Sequence, residues 1–208
     1  MGVFQKKKLK TTSLKPSEAG IGEAIAKGNA VTKLSLIVFG LGNILNKQIG
    51  RGLIFLAAEI VYFYYMISFG FGAIGNFITL GTKEQGQTYN EALGIYEYTS
   101  GDNSMLFLLY GVITIVLTVA AVGIACMSAK SAYCTQLRKE KGMHIPSFKD
   151  DVLSVREENL HTAMMALPIL GIVIFTIVPL VFMILIAFTS YDHEHQPPGN
   201  LFTWVGFD

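Results

Sequence analysis

The chain has 208 residues, of which 51% are hydrophobic and 15% are charged, whereas a soluble domain usually carries about 25% charged residues. This composition excludes an ordinary soluble domain. The net charge of +1 excludes little by itself, but the sequence contains no basic surface interleaved with aromatic residues, as nucleic-acid binding would require.

The first segment, residues 1–33, is polar and rich in lysine. Residues 1–51 together carry nine Lys/Arg against two acidic residues. The first long apolar run starts more than thirty residues into the chain, and no small-residue cleavage site follows a short apolar core. We therefore predict no cleavable signal peptide. The lysines either contact anionic lipid headgroups or act as topological anchors.

A shorter apolar run follows at residues 34–46. Its 13 residues before Lys47 are too few to cross a bilayer as a helix. A crossing would also place Lys47 and Arg51 on the far side of the membrane. We therefore predict an interfacial or re-entrant helix within residues 34–51.

Three longer apolar stretches lie at residues 52–71, 104–127 and 163–190. They contain 20, 24 and 28 residues, and Glu59 is the one charged residue within them. About 20 mostly apolar residues are needed to cross a hydrocarbon core of about 30 Å. The sequence therefore predicts an all-α integral membrane protein with three transmembrane helices and a short interfacial helix before the first.

The charges of the connecting segments predict the orientation, because Lys/Arg-rich loops stay in the cytoplasm. Loop 72–103 has one Lys against four acidic residues, loop 128–162 has six Lys/Arg, and segment 191–208 has none. The N-terminus and loop 128–162 are thus predicted to be cytoplasmic, and the other two segments extracytoplasmic. Ser147, directly after Pro146, is a candidate N-cap for a short amphipathic helix in the cytoplasmic loop.

Two local motifs have the residue types of binding sites. Residues 70–75 spell GxGxxG, but they end a predicted span instead of linking a strand to a helix, so a flexible helix exit is favoured over a dinucleotide site. Residues 192–195, DHEH, lack further ligands on their side of the membrane, so a solvated loop is favoured over a zinc site. Cys126 and Cys134 would lie about 12 Å apart along one helix, too far for a disulfide.

The sequence contains no nucleophile–base pair and no phosphate-binding loop. We therefore predict no catalytic, cofactor or metal site, and no enzyme. Three residues remain as structural candidates. Pro168 and Pro179 would bend the third span, where neighbouring groups can satisfy the freed carbonyls. Glu59 is either a substrate-path or proton-relay group or a protonated or hydrogen-bonded packing contact, with Tyr62 one turn away.

Several motifs occur in a fixed order: GLGNILNKQ at residues 40–48, GLIFL at 52–56, Leu167-Pro168, Pro179-Leu180, FTSY at 188–191 and WVGFD at 204–208. Together they resemble the permease subunits of bacterial ABC sugar importers, in the MalF-like maltose/maltodextrin branch. A proline at the entry, a second near the middle and an S-F-T-like exit are features of a helix common to that family. The resemblance covers roughly residues 34–208.

This resemblance implies a transport subunit for maltodextrin-like sugars. Its implied partners are a MalG-like second permease subunit, a cytoplasmic ATPase subunit that hydrolyses ATP, and an extracytoplasmic sugar-binding protein. The family's cytoplasmic E-A-A…G loop, which contacts the ATPase, is absent, since EAIAKG at residues 23–28 precedes every span. The chain stops at Asp208, within the WVGFD phrase. We therefore expect an N-terminal piece that lacks the transport core, with no sugar-binding residue assignable.

Two other functions are compatible with the same residues. A three-span membrane scaffold or regulator would bind other membrane proteins. An ion-coupled carrier or channel would use Glu59 within the membrane.

Overall fold

Three long helices dominate the protein. The computed structural model describes residues 19–157, 160–192, 196 and 199–206. Within these ranges, three helices are long and apolar enough to cross a bilayer: Ile49–Thr79, Ser104–Glu140 and Met164–Ile186, here the first, second and third long helices. At about 1.5 Å per residue, even the shortest, with 23 residues, exceeds a hydrocarbon core of about 30 Å. The fold class predicted from the sequence, a helical membrane protein, is confirmed.

The chain forms two compact units. One consists of Met1–Leu56 and Ile124–Phe148, and the other of Ala57–Gly123 and Lys149–Asp208. In the first unit, three short helices precede the first long helix: α1 (Ile21–Lys27), α2 (Ala30–Leu34) and α3 (Leu41–Leu45). Two alanines near α1, Ala19 and Ala24, pack on Tyr133 and Leu137 in a small buried cluster.

The start of α2 is attached to the second long helix by hydrogen bonds. Asn29 caps α2, because its side-chain oxygen accepts from the Thr32 backbone N–H at 2.8 Å. The Gln136 side-chain oxygen accepts from the Asn29 N–H at 3.1 Å and from the Thr32 hydroxyl at 3.0 Å. The Gln136 side chain thus binds both Asn29, the capping residue, and Thr32, the residue whose N–H is capped.

Only part of the segment 34–51, within which the sequence predicted an interfacial or re-entrant helix, is helical. Its central helix, α3, covers only five residues. Gly40 precedes α3 with a φ of +79°, and Lys47 follows it with a φ of +68°. Because a left-handed residue cannot continue a right-handed helix, the chain leaves helical geometry on both sides of α3.

The first long helix extends beyond the predicted span 52–71. It consists of α4 (Ile49–Tyr65), a π-helical turn (Met66–Gly70) and α5 (Phe71–Thr79). The glycines of the GxGxxG motif therefore lie inside a continuous helix, and the helix exit predicted there is wrong. Apolar residues separate the glycines of this motif along the helix. The helix ends after Thr79, where Leu80 adopts a φ of +56°.

A β-hairpin follows, which the sequence did not predict. Strands β1 (Gly86–Asn90) and β2 (Ile95–Thr99) pair antiparallel, with Tyr89 opposite Tyr96. The turn between them contains Gly94, with a φ of +63°. At the base of the hairpin, the Asp102 carboxylate accepts from the Thr82 and Lys83 N–H groups at 2.8 and 3.0 Å. These two bonds lower the pKa of Asp102.

The second long helix, α6 (Ser104–Glu140), also extends well past the predicted end at residue 127. Asn103 caps its start, since the Asn103 side-chain oxygen accepts from the Leu106 N–H at 3.2 Å. The residues after 127 are polar but compatible with a helix, and the helix stops only near Gly142, which has a φ of +64°. The Met143 N–H then donates to the Arg138 carbonyl at 2.9 Å, the bond typical of a glycine-terminated helix.

The third long helix lies within a longer helical segment after α7 (Phe148–Glu157). That segment consists of α8 (Leu160–Ile172), a π-helical turn (Val173–Ile177) and α9 (Val178–Ile186). No residue of its most apolar stretch is buried against the described part of the chain. α7 begins directly after Ser147, the candidate N-cap.

Candidate functional site

The GLGN stretch at residues 40–43 packs closely against α4 and α6. The Gly40 N–H donates to the Ser128 hydroxyl of α6 at 2.7 Å. A Cβ placed on Gly40 would overlap the Gly52 carbonyl oxygen and lie 2.8 Å from the Gly52 Cα. A Cβ on Gly42 would lie 2.5 Å from the Cβ of Ala132. Only glycine allows the chain to approach α4 and α6 this closely.

A buried polar network continues from this stretch into α6. The Asn43 amide donates to the Gln48 side-chain oxygen at 2.9 Å and to the Ser131 hydroxyl at 2.7 Å. The Thr135 hydroxyl donates to the same Gln48 oxygen at 2.7 Å. The Gln48 amide in turn donates to the Pro146 carbonyl at 3.2 Å. The network therefore ties residues 43–48 to the second long helix and to the segment before α7.

This network is satisfied except at one atom. Asn43 and Thr135 are at most 1% exposed and Gln48 is 4% exposed, so their polar groups depend on protein partners. Within the described part of the chain, the Asn43 side-chain oxygen accepts no hydrogen bond. Asn43 and Gln48 belong to the motif at residues 40–48 that was noted in the sequence. Their hydrogen-bond partners in α6 were not predicted.

Glu59 lies on α4 in the second unit and is 6% exposed. Two tyrosines on the following turns make hydrogen bonds to α6. The Tyr62 hydroxyl donates to the Thr118 hydroxyl at 3.2 Å, and the Tyr65 and Thr114 hydroxyls are 2.8 Å apart. Bonds of this kind hold helices together in lipid. The Glu59 side chain is thus buried one turn before a polar helix–helix contact.

The two prolines occupy different kinds of position. Pro168 lies inside α8, whereas Pro179 is at the start of α9, directly after the π-helical turn Val173–Ile177. Proline cannot donate to the carbonyl four residues earlier, and the wider π turn accommodates that loss. The sequence predicted a bend at the prolines, and the structure shows a π-helical turn directly before α9, the helix that contains Pro179.

The exit of the third long helix pairs with the WVGFD phrase. Thr189 and Trp204 form an isolated antiparallel bridge, and the Ser190 N–H donates to the Thr203 carbonyl at 2.9 Å. Phe202, 1% exposed, packs with Leu80 and Leu108. The FTSY and WVGFD motifs, which the sequence showed only to follow one another along the chain, are therefore in contact. Residues 207 and 208 of the phrase lie outside the described residues.

The Phe202 segment is also attached to the other two long helices. The Phe202 N–H donates to the Ser104 hydroxyl at the start of α6, at 3.0 Å. The Trp204 indole donates to the Ile78 carbonyl at the end of α5, at 3.1 Å. These contacts give the WVGFD motif and the adjacent Phe202 a structural role. Nothing in the sequence indicated that Ser104 and Ile78 would be their partners.

Among the described residues, no three His, Cys, Asp or Glu side chains lie close enough together to hold a metal ion. His193, Glu194 and His195 lie outside the described residues. Cys126 and Cys134 are free thiols on α6.

Comparison with known proteins gives relatives of one kind. The maltodextrin transport system permease protein MalC of Streptococcus pneumoniae is 30% identical over 171 residues, which is 82% of this chain and 36% of the relative. The galactooligosaccharides transport system permease protein GanP of Bacillus subtilis is 29% identical over 181 residues, 85% of this chain and 39% of the relative. The maltodextrin transport system permease protein MdxF of Bacillus subtilis is 26% identical over 172 residues.

This chain is homologous to sugar-transport permeases. The resemblance stated from the motifs is confirmed. The chain spans a little over a third of the length of these permeases. They are transport proteins and not enzymes, as the sequence predicted. Together with three long apolar helices, they indicate a multi-pass protein of the cell membrane. No family model and no solved structure matches the chain.

Proposed function

We propose that this chain belongs to the membrane-spanning subunit of an ABC importer that moves maltodextrin-type oligosaccharides into the cell. The observation that carries the proposal is the alignment of 82–85% of the chain with permeases named for oligosaccharides. Maltodextrin is named for MalC and MdxF, and galactooligosaccharides for GanP. An oligosaccharide is therefore the substrate class, and maltodextrin is the first substrate to test.

The proposed importer contains three further kinds of subunit. A MalG-like permease subunit would complete the sugar path, a cytoplasmic ATPase would hydrolyse ATP, and an extracytoplasmic binding protein would deliver the sugar. The exposed apolar surface of the third long helix supports the need for other membrane helices. Pro168 lies on this helix and cannot donate to the Met164 carbonyl, a group that such a neighbour would satisfy.

The proposed orientation places the N-terminus in the cytoplasm. Residues 1–51 and 128–162 carry fifteen of the sixteen Lys/Arg of the chain, which supports a cytoplasmic position for both. The hairpin of β1 and β2, within loop 72–103, is then extracytoplasmic.

Uptake in intact cells tests the proposal. Cells that carry the intact gene are compared with a deletion strain and with the deletion strain complemented by the gene, using radiolabelled maltodextrin, galactooligosaccharide and glucose. We expect deletion to abolish maltodextrin uptake, complementation to restore it, and glucose uptake to stay unchanged. Loss of galactooligosaccharide uptake alone would correct the sugar but keep the class. Unchanged uptake of both oligosaccharides would refute an importer and favour the scaffold.

A further inference from the structure

A cavity of about 460 Å³ opens in the first unit, between α1, α4 and α6. Arg51 and Phe55, one turn apart on α4, form one wall. The other lining residues are Ile21, Met127, Lys130, Ser131, Cys134 and Arg138. The five on α6 recur at spacings of three or four residues, so they share one face of that helix.

Three cationic side chains line this cavity, and its lining residues include no carboxylate. They are Arg51, Lys130 and Arg138, each half-buried. The Arg51 guanidinium donates to the Ser131 hydroxyl at 3.2 Å, which positions it on the wall. The positive charge of this lining favours an anionic ligand.

Two acidic side chains of the described part of the first unit, Glu23 and Glu140, have partners on their own helices. Glu23 pairs with Lys27 at 3.1 Å on α1. Glu140 accepts from the Gln136 amide at 2.8 Å. Gln136 and Glu140 share a different face of α6 from Lys130 and Arg138. Neither acid is among the lining residues.

The remaining lining is apolar and lies at the end of a membrane-crossing stretch. Ile21, Phe55 and Met127 contribute hydrocarbon, and apolar atoms make up most of the exposed lining. Met127 is the last residue of the apolar stretch 104–127 that was predicted to cross the membrane. The cavity therefore combines cations with an apolar surface at the level where hydrocarbon gives way to headgroups.

We propose that this cavity binds the phosphate headgroup of an anionic phospholipid. Lys130 and Arg138 contact the phosphate, Arg51 adds positive charge to the wall, and the apolar lining contacts the start of the acyl chains. Arginine is well suited to phosphate because its planar fork can donate two bonds. The proposal concerns a lipid site and does not depend on which sugar the protein transports.

The test measures lipid affinity on the purified full chain. Binding of phosphatidylglycerol and of phosphatidylcholine with the same acyl chains is followed by native mass spectrometry in detergent. The cavity variant is Lys130→Gln/Arg138→Gln. The matched control, Lys33→Gln/Lys139→Gln, removes two exposed lysines from the same unit and keeps the lysines of residues 1–18.

The cavity variant should bind phosphatidylglycerol about thirtyfold more weakly, because each cation contributes a factor of about five at an anionic headgroup. The control should bind it nearly as the wild type does, and phosphatidylcholine binding should not change. An equal loss in both variants would mean diffuse electrostatic attraction and would overturn the site. Displacement of the lipid by an equal concentration of inorganic phosphate would indicate a free-anion site and would also overturn the proposal.

A second measurement keeps the test decisive if the cavity variant folds poorly. The Cys126→Ala variant leaves Cys134, which lines the cavity, as the one cysteine of the chain. Phosphatidylglycerol should slow alkylation of Cys134 by a small neutral reagent, and phosphatidylcholine should not. Equal alkylation rates with both lipids would refute a headgroup in the cavity.

Discussion

Gly40→Ala should destabilise the first unit strongly. Gly40 has a φ of +79°, a conformation that costs an L-residue about 1–2 kcal/mol. The new Cβ would also overlap the Gly52 carbonyl oxygen and approach the Gly52 Cα to 2.8 Å. Both obstacles are backbone atoms, so no side-chain rotation can relieve them, and the chain itself must move.

The two costs can be added approximately. Forcing an extra carbon into a packed site costs about 1–3 kcal/mol. Together with the conformational cost, the loss is about 2–5 kcal/mol, and we expect about 3 kcal/mol in the free energy of unfolding. Movement of residue 40 would also weaken the bond from its N–H to Ser128. The loss is large beside a typical stability of about 5–15 kcal/mol.

The assay is unfolding of the purified full chain in mixed micelles of increasing SDS content, followed by circular dichroism. Gly123→Ala is the matched control, because Gly123 is in α6 and no atom lies within 4 Å of the position that an added Cβ would take there. That variant should gain up to about 1 kcal/mol from helix propensity. Unfolding of Gly40→Ala at the same SDS content as the wild type would refute the close approach of Gly40 to Gly52.

Four further results are expected. An impermeant thiol reagent applied to intact cells should label a single cysteine introduced at Gln87 but not one at Lys141; the reverse pattern would invert the proposed orientation. Glu59→Gln should keep uptake near normal, since it preserves shape and hydrogen bonding without a charge, and loss of uptake at unchanged abundance would favour the ion-coupled carrier. Phe202→Ala should cost about 3 kcal/mol or more, measured by the same SDS titration, and no change would mean that its burial contributes nothing. Because the pKa of Asp102 is lowered in the fold, protection of its two partner amides from hydrogen exchange should persist above the ordinary aspartate pKa and be lost as pH falls through the lowered one; constant protection down to strongly acidic pH would contradict this.

The three long helices could be predicted because bilayer crossing depends on composition over a window of about 20 residues. The ends of the helices could not. α6 continues for 13 residues beyond residue 127, where hydropathy falls but helix propensity does not. α5 passes through Gly72 and Gly75 for the related reason that glycine is tolerated in membrane helices.

The candidate site was predictable only as a set of motifs. Pro179, the exit at residues 188–191 and the GLGN stretch were visible in the sequence and carried the correct resemblance. Their partners were not, because Ser128 and Ser104 have no feature that distinguishes them from other serines. The hairpin was also missed, since its strands have no buried face to impose an alternating apolar pattern.

The bond between Gly40 and Ser128 joins residues 88 positions apart, which has a consequence for biosynthesis. At about 5–20 residues per second, roughly 4–18 s separate the synthesis of the two residues. During that time the hydrogen bonds of Asn43 to Ser131 and of Thr135 to Gln48 cannot form, because these α6 residues have not been made. The stretch from Gly40 to Gln48 therefore reaches its final structure only after the first long helix and the first part of α6 have been made.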